Sequence, residues 1–337
     1  MTNTAEALEI VRHYQSKLKN TGGGTDIQKA VGYAAGLVER PRNTLVVVLS
    51  DFMEGGPEEH LYTRVKELVD SGVKVLGLAA LVGLGAWLWQ RRQPTEVQTL
   101  QAVVERLSHG NNLGRQPIAF MVGSGSYAAY LAQQRDLCKP DQCELFAQLN
   151  PYKHYGNGWD ELIRQGYALG DIQGWSTSSG TVMLPRATFR AYGPHNGYLA
   201  CTVAHEIAHV LRHHVFTSSY QEHHNFRSLT GKPKELALMR LSRQQELEAD
   251  RDAADMLARA GFQGRVCEQE LGFMHRSTGD GSATEPDSTH PGYDERLKAI
   301  RLHYDTLEKT PLKPQRSTPG RFHYNAADNL LTFSPRP

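Results

Sequence analysis

CTVAHEIAHVLRHH, residues 201–214, is the stretch on which the reading of this chain turns. Its apolar and polar residues have helical character, and on a helix positions four apart share a face. His205 and His209 therefore offer two imidazole nitrogens to one point, as the His-Glu-x-x-His pattern does for Zn²⁺. Glu206, one residue on, stands beside that point and is placed to take a proton from a water there. The competing reading is a surface helix with two satisfied histidines, and a third ligand at a sensible place decides between them. With that ligand, the pattern implies a zinc-dependent hydrolase, and a peptidase first.

An extended motif with a third histidine would need Gly at 212 and His at 215, but Arg212 and Val215 stand there. The better source is SRQQELEADRDAADMLARAGF (242–262). Ala, Leu, Gln, Glu and Arg dominate it, no proline interrupts it, and Gly261 marks a stop, so it reads as a long helix. Glu246 and Asp250 share one face of that helix. Glu246 completes a His₂Glu set with a fourth position left open. Asp250 is placed to accept the second ring N–H of a ligand histidine, which fixes its tautomer. Glu248 is turned off that face and is expected in solvent.

Three separated motifs, HEIAHVLRHH, ELEAD (246–250) and STHPGYDER (288–296), together resemble the gluzincin peptidases typified by the CAAX prenyl protease and the HtpX heat-shock protease. The resemblance covers about residues 170–305. It implies one Zn²⁺ per chain on His205, His209 and Glu246, Glu206 as general base, and a polypeptide substrate. It puts His290 and Arg296 near the cleft, as a substrate or transition-state contact or as a gate on the metal. His214 falls where that family often carries a histidine, although solvation at a helix end is its expected role. GTVMLP (180–185) alternates and ends in Pro, as an edge strand beside such a cleft would. The fold class expected is α+β: a mostly helical zincin-type domain with a small sheet over 95–305, preceded by a partial α/β unit. The alternative is a binding or adaptor protein that keeps zinc as a structural or latent element.

That partial unit occupies residues 1–80. Helical patterns at 5–19, to about 39 and at 58–71 alternate with apolar runs at 45–50 and 73–80, which argues for a parallel sheet covered on both faces. GGGTDI (22–27) and LSDF (49–52) resemble the second half of a von Willebrand factor A domain. That family's Asp-x-Ser-x-Ser loop has no counterpart upstream, so Thr25 and Asp51 supply at best part of a Mg²⁺ site. A half sheet would also leave an open edge and an exposed apolar face.

The chain has 337 residues, enough for two units, and 37 basic against 36 acidic residues, which removes any electrostatic case for a nucleic-acid partner. Residues 75–92 hold an uncharged apolar stretch with two Trp at one end, followed by Arg91 and Arg92. The run is shorter than the roughly 20 residues of a spanning helix, yet its border suits a membrane interface. It is either a membrane anchor, making the protein membrane-associated or part of the cell envelope, or a buried strand and short helix in a cytoplasmic one. Cys138 and Cys143 have the spacing of a small disulfide loop, which would imply an oxidising compartment. Cys201 and Cys267 read as buried thiols. His154 has no partner spacing and reads as a surface histidine. Residues 306–337 read as a Pro-rich linker and a terminal hairpin (322–333).

Overall fold

β-branched LVVV and the apolar KVLG favour extended backbone, and they become β1 (Leu45–Val48) and β2 (Lys74–Gly77), paired in parallel with Leu45 opposite Lys74. These and all later details come from a computed structural model, which describes residues 27–48, 58–77, 93–279, 281–315, 317 and 319–336. The chain divides into two units, residues 1–92 and 93–337. In the first, α1 (Ile27–Gly36) and α2 (Glu58–Asp70) accompany the two strands. Val31, Leu68 and Val73 form its core against Val46 and Val48. Leu45 and Val47 point the other way and are 56% and 42% exposed. The expected sheet covered on both faces is therefore covered on one among the described residues, since alternation sends every second side chain of β1 away from the helices.

Thr25, Asp51 and the helix expected at 5–19 lie outside the described residues. Of the apolar run at 75–92, residues 75–77 end β2 and residues 78–92 lie outside the described residues. Among the described residues no helix is long and apolar enough to cross a membrane.

The second unit is built on a five-stranded sheet. β3 (Ile118–Gly123) runs parallel to β5 (Thr181–Pro185) and antiparallel to β7 (Leu330–Pro335). β6 (Gly320–Asn325) forms a hairpin with β7, and β4 (Trp175–Ser176) pairs antiparallel with β5. The order is β4-β5-β3-β7-β6. One expectation changes here: the 180–185 strand is not the edge, because β4 covers it. The terminal hairpin forms as expected, and β7 also pairs with β3, Phe333 opposite Ile118.

The period of two divides the sheet between two apolar layers. Ile118, Phe120, Val122, Val182, Leu184 and Phe333 enter the main core, while Met183 packs on the other face with Ala132, Phe146 and Leu162. α3 (Thr95–Gly110) and α6 (Arg186–Tyr192) help to build the main core, whereas α4 (Ser126–Gln134) and α5 (Trp159–Leu169) supply the smaller layer. The remaining helices are α7 (Asn196–Leu211), α8 (His214–His223), α9 (Lys232–Arg259), α10 (Val266–Thr278) and α11 (Tyr293–Lys309). α9 starts before the 242 expected from sequence. Pro233 sits in its first turn, where a missing N–H costs nothing, and Glu235 faces the positive helix end. Ala204 and Ala208 of α7 and Ala249 and Ala253 of α9 are fully buried in one core, so these two helices approach closely. The architecture is α+β with helices dominant.

Cys138 and Cys143 are disulfide-bonded. So are Cys201 and Cys267, which corrects the reading of two free thiols: helix packing brings α7 and α10 together across 66 residues of sequence, a proximity no local spacing announces.

Asn329 closes the β6–β7 turn with φ +50°, fully buried. Its Nδ2 donates to the Val122 carbonyl, and its Oδ1 accepts from the Tyr324 hydroxyl. Asn329→Ala should lower unfolding free energy by about 2–4 kcal/mol, from a stranded buried carbonyl and a left-handed alanine. Urea unfolding followed by tryptophan fluorescence measures it. A loss below about 0.5 kcal/mol, the scale of an ordinary surface change, would show that the turn holds without this side chain.

Candidate metal centre

α7 supplies His205 and His209 one turn apart, and α9 supplies Glu246 across from them. The two Nε2 atoms are 3.1 Å apart; His205 Nε2 lies 3.2 Å from Glu246 Oε2 and His209 Nε2 3.5 Å from Glu246 Oε1. Ligands at about 2.0–2.1 Å in a tetrahedron stand roughly 3.3–3.4 Å from one another. The observed separations bracket that edge, so the donor set fits Zn²⁺ in both chemistry and size. It is the only such group of three among the described residues.

Burial and charge act together on the three donors. Burial first, then the neighbouring His205, pulls His209 down to about 3, leaving it a neutral imidazole. Burial works to raise Glu246, but hydrogen bonding and charge from His205, with His290 and His209 behind, hold it at about 2 as a carboxylate. Burial also tends to lower His205, and Asp250 and Glu246 outweigh it, holding the ring well above its ordinary value.

Glu206 is buried beside the cluster, and that burial pushes its carboxyl up to about 7, against the pull of His205. Ser176 on β4 also draws it down, by less than burial raises it. Gly174, just before β4, lies so close that an added Cβ would meet Glu206 Cγ at 3.0 Å and Oε1 at 3.1 Å. The wall over this carboxylate is therefore strand β4 and its leading glycine.

Asp250 accepts from His205 Nδ1 at 3.0 Å and from Arg296 Nε and Nη2 at 2.8 and 2.7 Å. Burial would raise Asp250, and Arg296 followed by His205 holds it well below the usual carboxylate range. Arg296 is thus corrected from a substrate contact to a largely buried partner of Asp250, because α11 packs on α9 and turns it inward. His290 stays on the exposed rim, its Nε2 3.6 Å from Glu246 Oε2 and its Nδ1 2.8 Å from the Thr289 hydroxyl. It is not one of the mutually close ligand atoms. His154, as expected, is exposed and pairs with Asp160 at 2.7 Å.

Two further expectations change. His214 is buried, not solvated, and its Nδ1 lies 2.9 Å from His209 Nδ1. The reason is a helix break: His213 adopts φ +54° and α8 starts at His214, turning that ring back onto α7. Glu248 is likewise half-buried between Arg212, Gln244 and His214. Sequence reading missed a deeper network altogether. The buried Glu270 of α10 accepts from the Tyr192 hydroxyl at 2.5 Å and the Thr202 hydroxyl at 3.0 Å, and burial raises its pKa. Nothing in the QELGF stretch around it signals this, since its partners lie 68 and 78 residues away.

Arg296→Ala leaves Asp250 buried with one cationic partner fewer, which should cost roughly 3–5 kcal/mol of stability. Arg296→Lys should recover only part of that, since an ammonium cannot reproduce the bidentate fork. Denaturant midpoints of the three proteins test this, and an unchanged midpoint in the Ala variant would refute it.

Comparison with known proteins agrees with both halves of the chain. Residues 1–114 match the family model described as a VWA domain containing CoxE-like protein, a match that runs past the unit boundary at Arg92 and through α3. Residues 227–303 match the model of peptidase family M48, a stretch that contains Glu246, Asp250, His290 and Arg296 and begins after the His205–His209 helix. The "Uncharacterized protein YehP" of Escherichia coli (strain K12) is 41% identical over 131 residues, 39% of this chain, and the chain spans 29% of that protein's length. No solved structure gives a significant match. The chain is thus similar to a VWA domain over its first part and to the peptidases of family M48 over its last.

Proposed function

We propose that residues 93–337 form a zinc-dependent metalloendopeptidase, with His205, His209 and Glu246 as ligands and Glu206 as general base. The observation that carries this is the tetrahedron-sized set of three donor atoms with a buried carboxylate beside it. Zinc, when bound there, would acidify a water and polarise the scissile carbonyl. Glu206, buried beside that point, would take the proton of the attacking water and deliver it to the leaving amine. β4, at the end of the sheet and led by Gly174 against Glu206, offers its outer edge to an extended polypeptide. His290, on the rim with Nε2 3.6 Å from Glu246 Oε2, is read as a donor to the developing oxyanion, with a gate on the metal as the other role.

The other reading, an adaptor with a structural zinc, would require a fourth protein ligand. Two disulfides support an oxidising compartment, and so a cell-envelope setting over a cytoplasmic one.

Metal content and peptide-library cleavage of four proteins test the proposal. Glu206→Gln should keep stoichiometric zinc and lose most hydrolysis. Glu246→Ala should lose both. His290→Ala should keep zinc and fall in turnover by a factor on the order of 10²–10³. Wild-type cleavage by Glu206→Gln would refute the general base, and increased activity in His290→Ala would reassign that residue to a gate.

A further inference from the structure

His214 and Glu248 have no part in the mechanism above, yet they stand directly behind a ligand. His209 Nδ1 is 2.9 Å from His214 Nδ1, with the two rings edge-on at 78°. His214 Nε2 is 3.5 Å from Glu248 Oε2 and makes no shorter hydrogen bond, although that nitrogen is buried. Glu248 is itself steadied by Gln244 Nε2 at 3.0 Å and by Arg212 Nη1 at 3.5 Å.

Two ring nitrogens 2.9 Å apart share one proton, and only one distribution serves the metal site. If His209 is to present a lone pair at Nε2, toward His205 and Glu246, its proton must sit on Nδ1. His214 Nδ1 must then be the acceptor, which puts the His214 proton on Nε2, aimed at the Glu248 carboxylate. The other ligand histidine has the same arrangement with one link fewer, since His205 Nδ1 donates directly to Asp250. We propose that His214, backed by Glu248, is the positioning residue of His209, fixing the tautomer and ring orientation in which His209 binds a cation. This rests on the proposed zinc site. Remove the acceptor at 214, and the Nδ1–H tautomer of His209 buries an unsatisfied donor. The ring then favours the tautomer with its proton on Nε2, which cannot ligate.

The test is Zn²⁺ affinity of the full-length chain by chelator competition, with the visible spectrum of the Co²⁺-loaded protein as a second readout. His214→Phe keeps a ring and removes the acceptor. It should weaken Zn²⁺ binding by roughly 10–100-fold and shift the Co²⁺ bands. His214→Asn places an amide oxygen near the position of Nδ1 and should restore most of the loss, which a purely packing role for the ring would not allow. Glu248→Leu should weaken binding by a smaller factor, and it decides the matter should His214→Phe fail to fold. Wild-type affinity and an unshifted spectrum in His214→Phe, or in Glu248→Leu where that stands alone, overturn the inference while leaving the zinc site intact. If the wild-type chain itself binds no Zn²⁺, the proposed site falls and this role falls with it.

Discussion

One buried carboxylate organises the second unit. Asp250 takes two bonds from Arg296 of α11 and one from His205 of α7 while belonging to α9. A charge sealed in this way is costly unless every lone pair is engaged, so the three helices are obliged to meet in one relative position. That requirement is sharper than apolar packing alone, which tolerates sliding by a fraction of a turn. The alanines between α7 and α9 permit the approach, and Asp250 decides its register.

A second restraint acts on α7 one turn before His205. Cys201, one turn before His205, is bonded to Cys267 of α10, and Glu270 one turn further along α10 accepts from Thr202 and from Tyr192 of α6. The helix carrying both histidines is thus held by an ion network at His205 and by a covalent bond with a hydrogen-bond network one turn earlier. His205 and His209 need little rearrangement to meet a cation, which is the preorganisation that both ligand geometry and proton transfer demand.

What could be read from the chain beforehand follows a physical rule. Pairs fixed by helical spacing were legible, because His205 with His209 and Glu246 with Asp250 each need only one turn of backbone to share a face. The long helix at 242–262, the strand at 180–185 and the hairpin at 322–333 were legible from period and composition. Contacts created by tertiary packing were not. The bond between Cys201 and Cys267 and the seating of Arg296 on Asp250 join residues on different helices. His214 was misread for a local reason: a continuing helix would have carried it into solvent, but the left-handed turn at His213, without a glycine to announce it, reverses its direction. β4 escaped notice because two residues, Trp175 and Ser176, leave no periodic trace.

The pairing of β7 with β3 also governs the order in which the molecule can assemble. Phe333 sits opposite Ile118, so the middle of the sheet waits for a segment made long after β3 has left the ribosome. Until then Ile118, Phe120 and Val122 face a core without Leu331 and Phe333. Such long-range closure is slow and exposes apolar surface meanwhile. A nascent chain would hold all three donor side chains long before the sheet beneath them is complete. Maturation of the centre is therefore tied to synthesis of the β6–β7 hairpin, and a polypeptide cut short before residue 330 would carry the histidines without the scaffold that aims them.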